Sequence, residues 1–351
     1  MKILHAADLH LDTPFTGRSD EDVRYLKKAL LTIPEQIVAL CRLHGCDMLL
    51  LAGDIFDGPA SRESIDALKA ALSDANIPIF ISPGNHDFCS PSSPYIREVW
   101  PENVHIFTNS GIASVALPGL DCRVYGAGFE GMDCRALLEH FRLEGSERYQ
   151  IGLLHGDPVQ KNSPYNPISQ EQVAASGLDY LALGHVHKGG SFTAGSTLCG
   201  WPGCPMGRGN DELGEKGVYL VTLEEKAAIT FLPLEGPRFY DLEAEVLDTP
   251  ENAVRAALPP VESEDFYRIT LTGEAEPFDI HTLSFPAFVH LELRDRTIPP
   301  TDIWSSMGKD NLEGVFFQLL HDSLATQDED TVTLAAKIAR KILDGREVVL
   351  P

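Results

Sequence analysis

Five short clusters hold the residues whose types and spacing could do chemistry: Asp8-Leu-His10, Gly53-Asp54-Ile-Phe-Asp57, Gly84-Asn85-His86-Asp87, His155-Gly-Asp157 and Gly184-His185-Val-His187. Imidazole and carboxylate together suit first-row divalent metals such as Mn, Fe or Zn, whereas all-oxygen sets suit Mg or Ca. A spacing of two, in Asp8-x-His10 and His185-x-His187, puts both side chains on one side of an extended strand end, so each pair can enter one cavity. Glycines at 53, 84, 156 and 184 permit the sharp turns and close backbone approach that such ligand loops need. Any one of these histidines alone reads better as a hydrogen-bonded core residue. Their joint occurrence reverses that reading.

The donors outnumber what one ion can hold. Asp8, His10, Asp54, Asn85, His155, His185 and His187 form the candidate ligand set, which points to two metals. A single carboxylate, Asp54, could bridge ions ~3.5–4 Å apart, the separation used for in-line attack on phosphate. Such ions acidify water enough to supply hydroxide near neutral pH and neutralise charge on phosphoryl oxygens. His86 is left over, an imidazole of suitable pKa to protonate the leaving oxygen. Asp57, Asp87 and Asp157 are expected to orient ligand histidines or cap loops rather than to touch metal. Asp12 reads equally as loop structure or as a substrate-side contact. Lys188 and Arg208 read either as phosphate contacts or as exposed cations without a role. Tyr165 is expected to pack within its loop, with stacking on a base as the sharper alternative.

Each cluster follows a short apolar run that reads as a buried strand: Ile3 to Ala7, Met48 to Ala52, Pro78 to Ser82, Ile151 to Leu154 and Tyr180 to Leu183. Leu26, Leu30, Ile33, Ile37 and Leu40 stand near helical spacing between the first two runs. Ile65, Leu68 and Leu72 do so after the second, with Ser61 as N-cap. Strands alternating with helices give βαβ units and an α/β fold, whose functional groups gather at the carboxyl ends of the strands. Segments 104–107, 123–127, 217–223 and 228–232 read as further strands. Near Gly236-Pro237 the pattern changes to strand (239–246), helix (250–258), strand (265–272), short helix (279–284) and strand (288–294). Pro299-Pro300 then precedes two helices, about 311–325 and 330–344. We therefore expect a catalytic domain over 1–235, a small α+β cap over 236–298 and a helical segment over 299–351. In that segment Leu312, Val315, Phe316, Leu319 and Leu320 read as a core-facing stripe, or as a docking face for a partner helix.

Asp-x-His, Gly-Asp-x-x-Asp, Gly-Asn-His-Asp and Gly-His-x-His, in this order, resemble the calcineurin-like metallophosphoesterase superfamily. The finer resemblance is to the SbcD/YhaO-type (Mre-type) DNA-repair exonucleases. It rests on Ala7-Asp-Leu-His-Leu-Asp-Thr-Pro-Phe15, Tyr180-Leu-Ala-Leu-Gly-His-Val-His-Lys188, and Pro202-Gly-Cys-Pro-Met-Gly-Arg208 with Gly214-Glu-Lys-Gly217. Asp12 favours the YhaO-like branch. The resemblance implies a four-layer β-sandwich flanked by helices. It implies one metal held by Asp8, His10, Asp54 and His187, and a second held by Asp54, Asn85, His155 and His185, with His86 as the acid. Manganese is the usual activator in that family. DNA is the implied substrate, and an SbcC-type coiled-coil ATPase is the implied partner of the C-terminal segment; a homodimer is a further expectation.

Composition bounds these readings. The chain has 351 residues, 43% hydrophobic and 23% charged, as in a soluble globular protein. An acidic residue at position 8 comes too early for a signal peptide, and no apolar run is long enough to span a membrane, so a cytoplasmic location is expected. Seven cysteines without a Cys-x-x-Cys pair argue against a zinc finger or disulfide framework. No Gly-x-x-x-x-Gly-Lys-Ser/Thr loop is present, so no nucleotide-driven motor is read here. A net charge of −24 excludes bulk electrostatic attraction to nucleic acid. It leaves metal-held phosphate substrates open, and a phosphodiesterase or phosphatase for nucleotides or other small phosphoesters is the alternative. A catalytically quiet scaffold protein is opposed by the intact ligand set and His86.

Overall fold

A computed structural model describes residues 1–300 and 302–345; residue 301 and the 346–351 end of the expected C-terminal segment lie outside the described residues. Four strands, β1 (Lys2–Ala6), β2 (Met48–Leu51), β3 (Ile79–Ile81) and β4 (Val104–Ile106), run parallel in a first sheet. A second sheet holds β5 (Ala113–Leu117), β6 (Cys122–Gly126), β7 (Tyr149–His155), β8 (Tyr180–Gly184), β9 (Lys188–Ala194) and β10 (Thr197–Gly203), in the order β5-β6-β7-β8-β10-β9. The chain then returns to the first sheet with β11 (Gly217–Leu223) and β12 (Ala227–Pro233), giving the order β12-β11-β1-β2-β3-β4.

Period-two alternation explains why these strands stack as layers. Leu49 and Leu51 join Leu4, Ala6, Leu26, Ile33 and Leu68 in a core beneath α1 (Asp20–His44) and α2 (Arg62–Asp74). Met48, Leu50 and Ala52 face the other way, against Val124, Ile151, Leu153 and Ala182 of the second sheet. Leu154, Leu181 and Leu183 pack outward with Leu138 and Val173. The order is therefore helix, sheet, sheet, helix, an α/β sandwich of four layers. Ser19 starts α1 by accepting the Asp22 amide, and Gly45 ends it in the left-handed region. Ser61 caps α2 in the same way through Ser64.

β5 and the β9–β10 hairpin are additions to the expected elements. β5 is only half-buried and β9 is mostly exposed, so neither carries a long apolar run. Two short helices complete this part, α3 (Pro94–Arg97) and α4 (Gln170–Ser176), the latter opened by a Ser169–Gln172 capping box.

The chain divides into two compact units. One holds Met1–Leu242, Val261–Arg268 and Phe285–Glu292. The other holds Glu243–Pro260, Ile269–Ser284 and the chain from Leu293 onward. β13 (Phe239–Val246), β14 (Phe266–Gly273) and β15 (Leu291–Asp295) form a three-stranded sheet, with α5 (Pro250–Ala257) between the first two. In the second unit, α6 (Leu312–Asp322) and α7 (Glu329–Leu343) are tied by Arg340, which bonds Glu313 at 2.6 Å and lies over the buried Phe317 ring. The expected core-facing stripe is turned outward instead: Leu312 is 88% exposed, and Val315, Phe316 and Leu319 are exposed too. Phe317, between them, is the large side chain that this short helix buries, beside Gly314.

Candidate metal centre

The loops after β1 and β2 continue the parallel pairing of their strands. Asp8 N–H donates to Gly53 O at 3.0 Å and His10 N–H to Asp54 O at 2.9 Å. Asp8, His10 and Asp54 nevertheless stand in the left-handed region, with φ of 52°, 48° and 49°. This corrects the expectation of an extended strand end: a left-handed turn, not simple alternation, brings Asp8 and His10 to one side. Such conformations cost non-glycine residues free energy and persist only where the surroundings enforce them. His185 is similar, with φ 99°, its N–H held by both oxygens of Asp8 at 2.9 and 3.1 Å.

Two glycines let the strand ends close up. A Cβ on Gly84 would lie 2.2 Å from Asp54 Oδ1, and one on Gly184 would lie 1.8 Å from the Ala52 carbonyl.

All seven expected ligands meet at the seam between the two sheets. His10 Nε2 is 3.1 Å from His187 Nε2, and the ligand atoms of Asp8, His10 and His187 fall within 4.8 Å of one another. Asp8, Asp54 and His155 form a second such group. His155 Nε2 is 3.0 Å from Asn85 Oδ1, and His185 Nδ1 is 3.3 Å from the same oxygen. Asp54 Oδ2 reaches both sides, 3.8 Å from His10 Nε2 and 3.4 Å from His155 Nε2.

The donor chemistry fits cations. His155 Nδ1 can only donate to the Ala52 carbonyl at 3.0 Å, so in the neutral ring Nε2 is a bare lone pair facing the Asn85 oxygen. His187 Nδ1 lies 2.7 Å from Glu212 Oε1 and 2.8 Å from Arg208 Nη2; in the tautomer that donates to the carboxylate its Nε2 is likewise bare and faces the Nε2 of His10. His10 Nδ1 is buried without a hydrogen-bond partner. Acceptors aimed at acceptors in a dry site call for positive charge between them. Without metal, a proton supplies part of it: burial alone would lower His155, yet Asp54 and Asp8 raise it to about 9. Burial likewise opposes ionisation of Asp54, but His155 and His10 hold it well below the usual carboxylate range.

His86 borders these clusters: its ring centroid is 4.8 Å from that of His10, and one of its ring nitrogens forms a third group of donor atoms with His10 and Asp54, all within 4.8 Å of one another. Its ring is 43% exposed, and Nδ1 donates to Asp57 Oδ1 at 2.8 Å, which raises its pKa. Its backbone N–H holds Asp54 Oδ1 at 2.9 Å.

The remaining candidates separate by what they touch. Asp87 is buried and accepts from Gly84 N and Ile55 N, both at 2.7 Å, and from the Tyr95 hydroxyl, so it ties the loops after β2 and β3 together. Asp157 accepts from Val159 N and Gln160 N and stands 3.8 Å from His185 Nε2. Asp12 accepts from Ser61 N and Ser64 Oγ, both at 2.9 Å, anchoring the start of α2. Lys188 is exposed at the start of β9. Arg208 is held against Glu212 and beside His187, and is not an exposed cation. Tyr165 is half-buried, its ring 4.9 Å from that of His185.

Sequence reasoning missed Glu212 and Asn166. Asn166 donates to the His155 carbonyl at 2.9 Å from a buried position. The i, i+4 relation of Arg208 to Glu212 was the available signal for the former; the latter had none.

Residues 1–189 match the family model described as calcineurin-like phosphoesterase. Among curated relatives, the chain is 34% identical over 243 residues to an uncharacterized metallophosphoesterase, YhaO, of Bacillus subtilis, covering 63% of this chain and 57% of that protein. It is 27% identical over 267 residues to the SbcD component of nuclease SbcCD from the same organism, covering 63% and 66%. It is 24% identical over 221 residues to the DNA double-strand break repair protein Mre11 of Aeropyrum pernix, covering 53% and 49%. The matches thus span about half to two thirds of these relatives. The family match covers more than half of the 351 residues and contains every one of the five clusters, so the chain belongs to the calcineurin-like phosphoesterases, a family of hydrolases.

Proposed function

We propose that the chain hydrolyses phosphodiester bonds at a two-metal centre and that DNA is its substrate. The observation that carries the first part is the place of Asp54, within 4 Å of His10 Nε2 on one side and His155 Nε2 on the other. Asp8, His10, Asp54 and His187 would hold one ion, and Asp54, Asn85, His155 and His185 the other, with manganese the metal in our reading. Bound divalent ions supply an acidified water and charge neutralisation on phosphoryl oxygens. The chain's own residues do the rest. Asp57 accepts from His86 Nδ1 and favours the imidazolium, whose Nε2–H can protonate the leaving oxygen. Asp8 holds the backbone of His185, and His86 N–H holds Asp54, so the ligands keep their geometry before substrate arrives.

The nuclease and DNA-repair names of the relatives support DNA as the substrate. The net charge of −24 favours the second reading, a small phosphoester, and within the first it requires help in holding DNA. In our reading that help is a coiled-coil ATPase of SbcC type, in the cytoplasm.

The test pairs bis(p-nitrophenyl) phosphate with an end-labelled DNA duplex in Mn²⁺, with and without that partner. Metal-dependent cleavage of both is expected. Hydrolysis of the small diester with the duplex untouched throughout overturns DNA as substrate. Absence of both activities in protein shown to hold metal overturns the phosphodiesterase reading.

A further inference from the structure

Glu212 lies outside the five motif clusters and is 5% exposed, so an ionised carboxylate there needs specific partners. It has three. Oε2 accepts the Arg208 backbone N–H at 2.8 Å, the Arg208 guanidinium is ion-paired to the same carboxylate, and His187 Nδ1 stands 2.7 Å from Oε1. His187 Nδ1 faces a donor and an acceptor at once, Arg208 Nη2 at 2.8 Å and Glu212 Oε1 at 2.7 Å. A carboxylate only accepts, so the tautomer with its proton on Nδ1 is the one that pairs with Glu212, and it is also the one that leaves Nε2 free toward His10. The guanidinium reaches further: Nη1 is 3.9 Å from Asp57 Oδ2, and Asp57 is the residue that holds His86.

We propose that Glu212 and Arg208 are positioning residues that fix the tautomer and orientation of His187, with Arg208 joining that arrangement to the Asp57–His86 pair. The proposal rests on the two-metal reading above. It also gives Arg208 a part that neither sequence reading named, a clamp whose Nε and Nη2 donate to Glu212 while Nη1 stands 3.9 Å from Asp57. Outer carboxylates on ligand histidines typically affect metal affinity by roughly 10- to 100-fold. That effect should fall on the ion held through His187, and not on the one held through His155.

The experiment is Mn²⁺ titration of the whole chain, Glu212→Gln and Arg208→Ala, followed by electron paramagnetic resonance and by metal analysis. Thermal unfolding of each metal-free protein is measured in parallel. Wild type should take two equivalents and show the exchange-coupled signal of a manganese pair. Each variant should keep one equivalent at wild-type affinity, bind the other roughly 10- to 100-fold more weakly, and show a mononuclear signal at sub-saturating metal; the metal-free unfolding temperature should fall in both, since each removes one partner of a buried ion pair. Two equivalents at wild-type affinity in both variants overturn the proposal. Loss of both equivalents also overturns it, since that marks a general structural role. Fewer than two equivalents in the wild type overturns the two-metal reading itself, which separates the two failures.

Discussion

Asp57 holds Nδ1 of His86 at 2.8 Å while the His86 ring remains open to solvent. The chain thus presents an oriented imidazole beside a buried set of metal donors, and the two can be removed separately. His86→Ala should retain two metals and lose roughly 10²- to 10⁴-fold in turnover, the usual contribution of a positioned acid. Asp54→Ala should lose metal as well. Metal analysis beside kcat checks this, and loss of both metals in His86→Ala would remove the assigned role.

Asp57→Asn keeps the size of the side chain and removes the charge that favours the imidazolium. We expect kcat to fall at least about tenfold with metal content unchanged. A variant with wild-type kcat would show that the Asp57 contact is structural only.

Gly84→Ala forces a Cβ to 2.2 Å from Asp54 Oδ1 and 2.8 Å from its backbone nitrogen. Relieving that overlap should cost about 1–3 kcal/mol of stability and displace the Asp54 carboxylate. Full metal binding with an unchanged unfolding midpoint would sink the claim that this approach is tight.

The candidate ligands come from both sheets, so metal binding there should stabilise the native state. Each ion present at 100 times its dissociation constant should add about 2.7 kcal/mol. Unfolding temperatures in excess EDTA and in Mn²⁺ are the measurement, and equal values in the two would contradict binding at this seam.

Acid sensitivity has a separate source in the core. His5 is buried between the sheets; Nε2 donates to the Leu183 carbonyl at 3.1 Å and Nδ1 accepts from the Tyr180 hydroxyl at 2.7 Å. Burial, partly offset by that carbonyl, lowers its pKa to about 3. The unfolded chain takes up a proton below about 6.5 and the folded chain does not until about 3. Stability is therefore intact above pH 6.5 and falls as pH drops toward 3, by about 2 kcal/mol at pH 5. His5→Gln should be less stable at pH 8 yet show a shallower decline between pH 6.5 and 4.5 in urea unfolding of the metal-free chain. Parallel declines would place the sensitivity elsewhere.

The parallel strands and their terminal clusters were legible because β1, β2 and β8 are buried on both faces and read as continuous apolar runs. The β9–β10 hairpin was not: Lys188-Gly-Gly-Ser is an exposed start, and its pairing with β10 depends on partners distant from any local signal. The side chains that the fold brings together at the seam were legible from residue type and order. The left-handed backbone at Asp8, His10 and Asp54 was not, since nothing in Asp or His demands it. The fate of Arg208 was equally hidden, because an arginine in a glycine-rich loop reads alike whether it meets solvent or a buried glutamate. The outward stripe on α6 followed the helical period correctly, but period alone does not say which side is covered.

The candidate ligands run from Asp8 to His187, and Glu212 lies beyond them. Sequence distance of this kind delays assembly, because long-range closure must precede the contacts that reward it. During synthesis from the N-terminus, the first sheet's donors emerge more than sixty residues before His155, and the order of emergence leaves Asp8, His10, Asp54 and Asn85 as an unsatisfied acidic half-centre. A nascent chain arrested before residue 155 should therefore be the species most exposed to mismetallation, and on the two-metal reading metal choice becomes partly a matter of which ion is at hand when the second sheet docks.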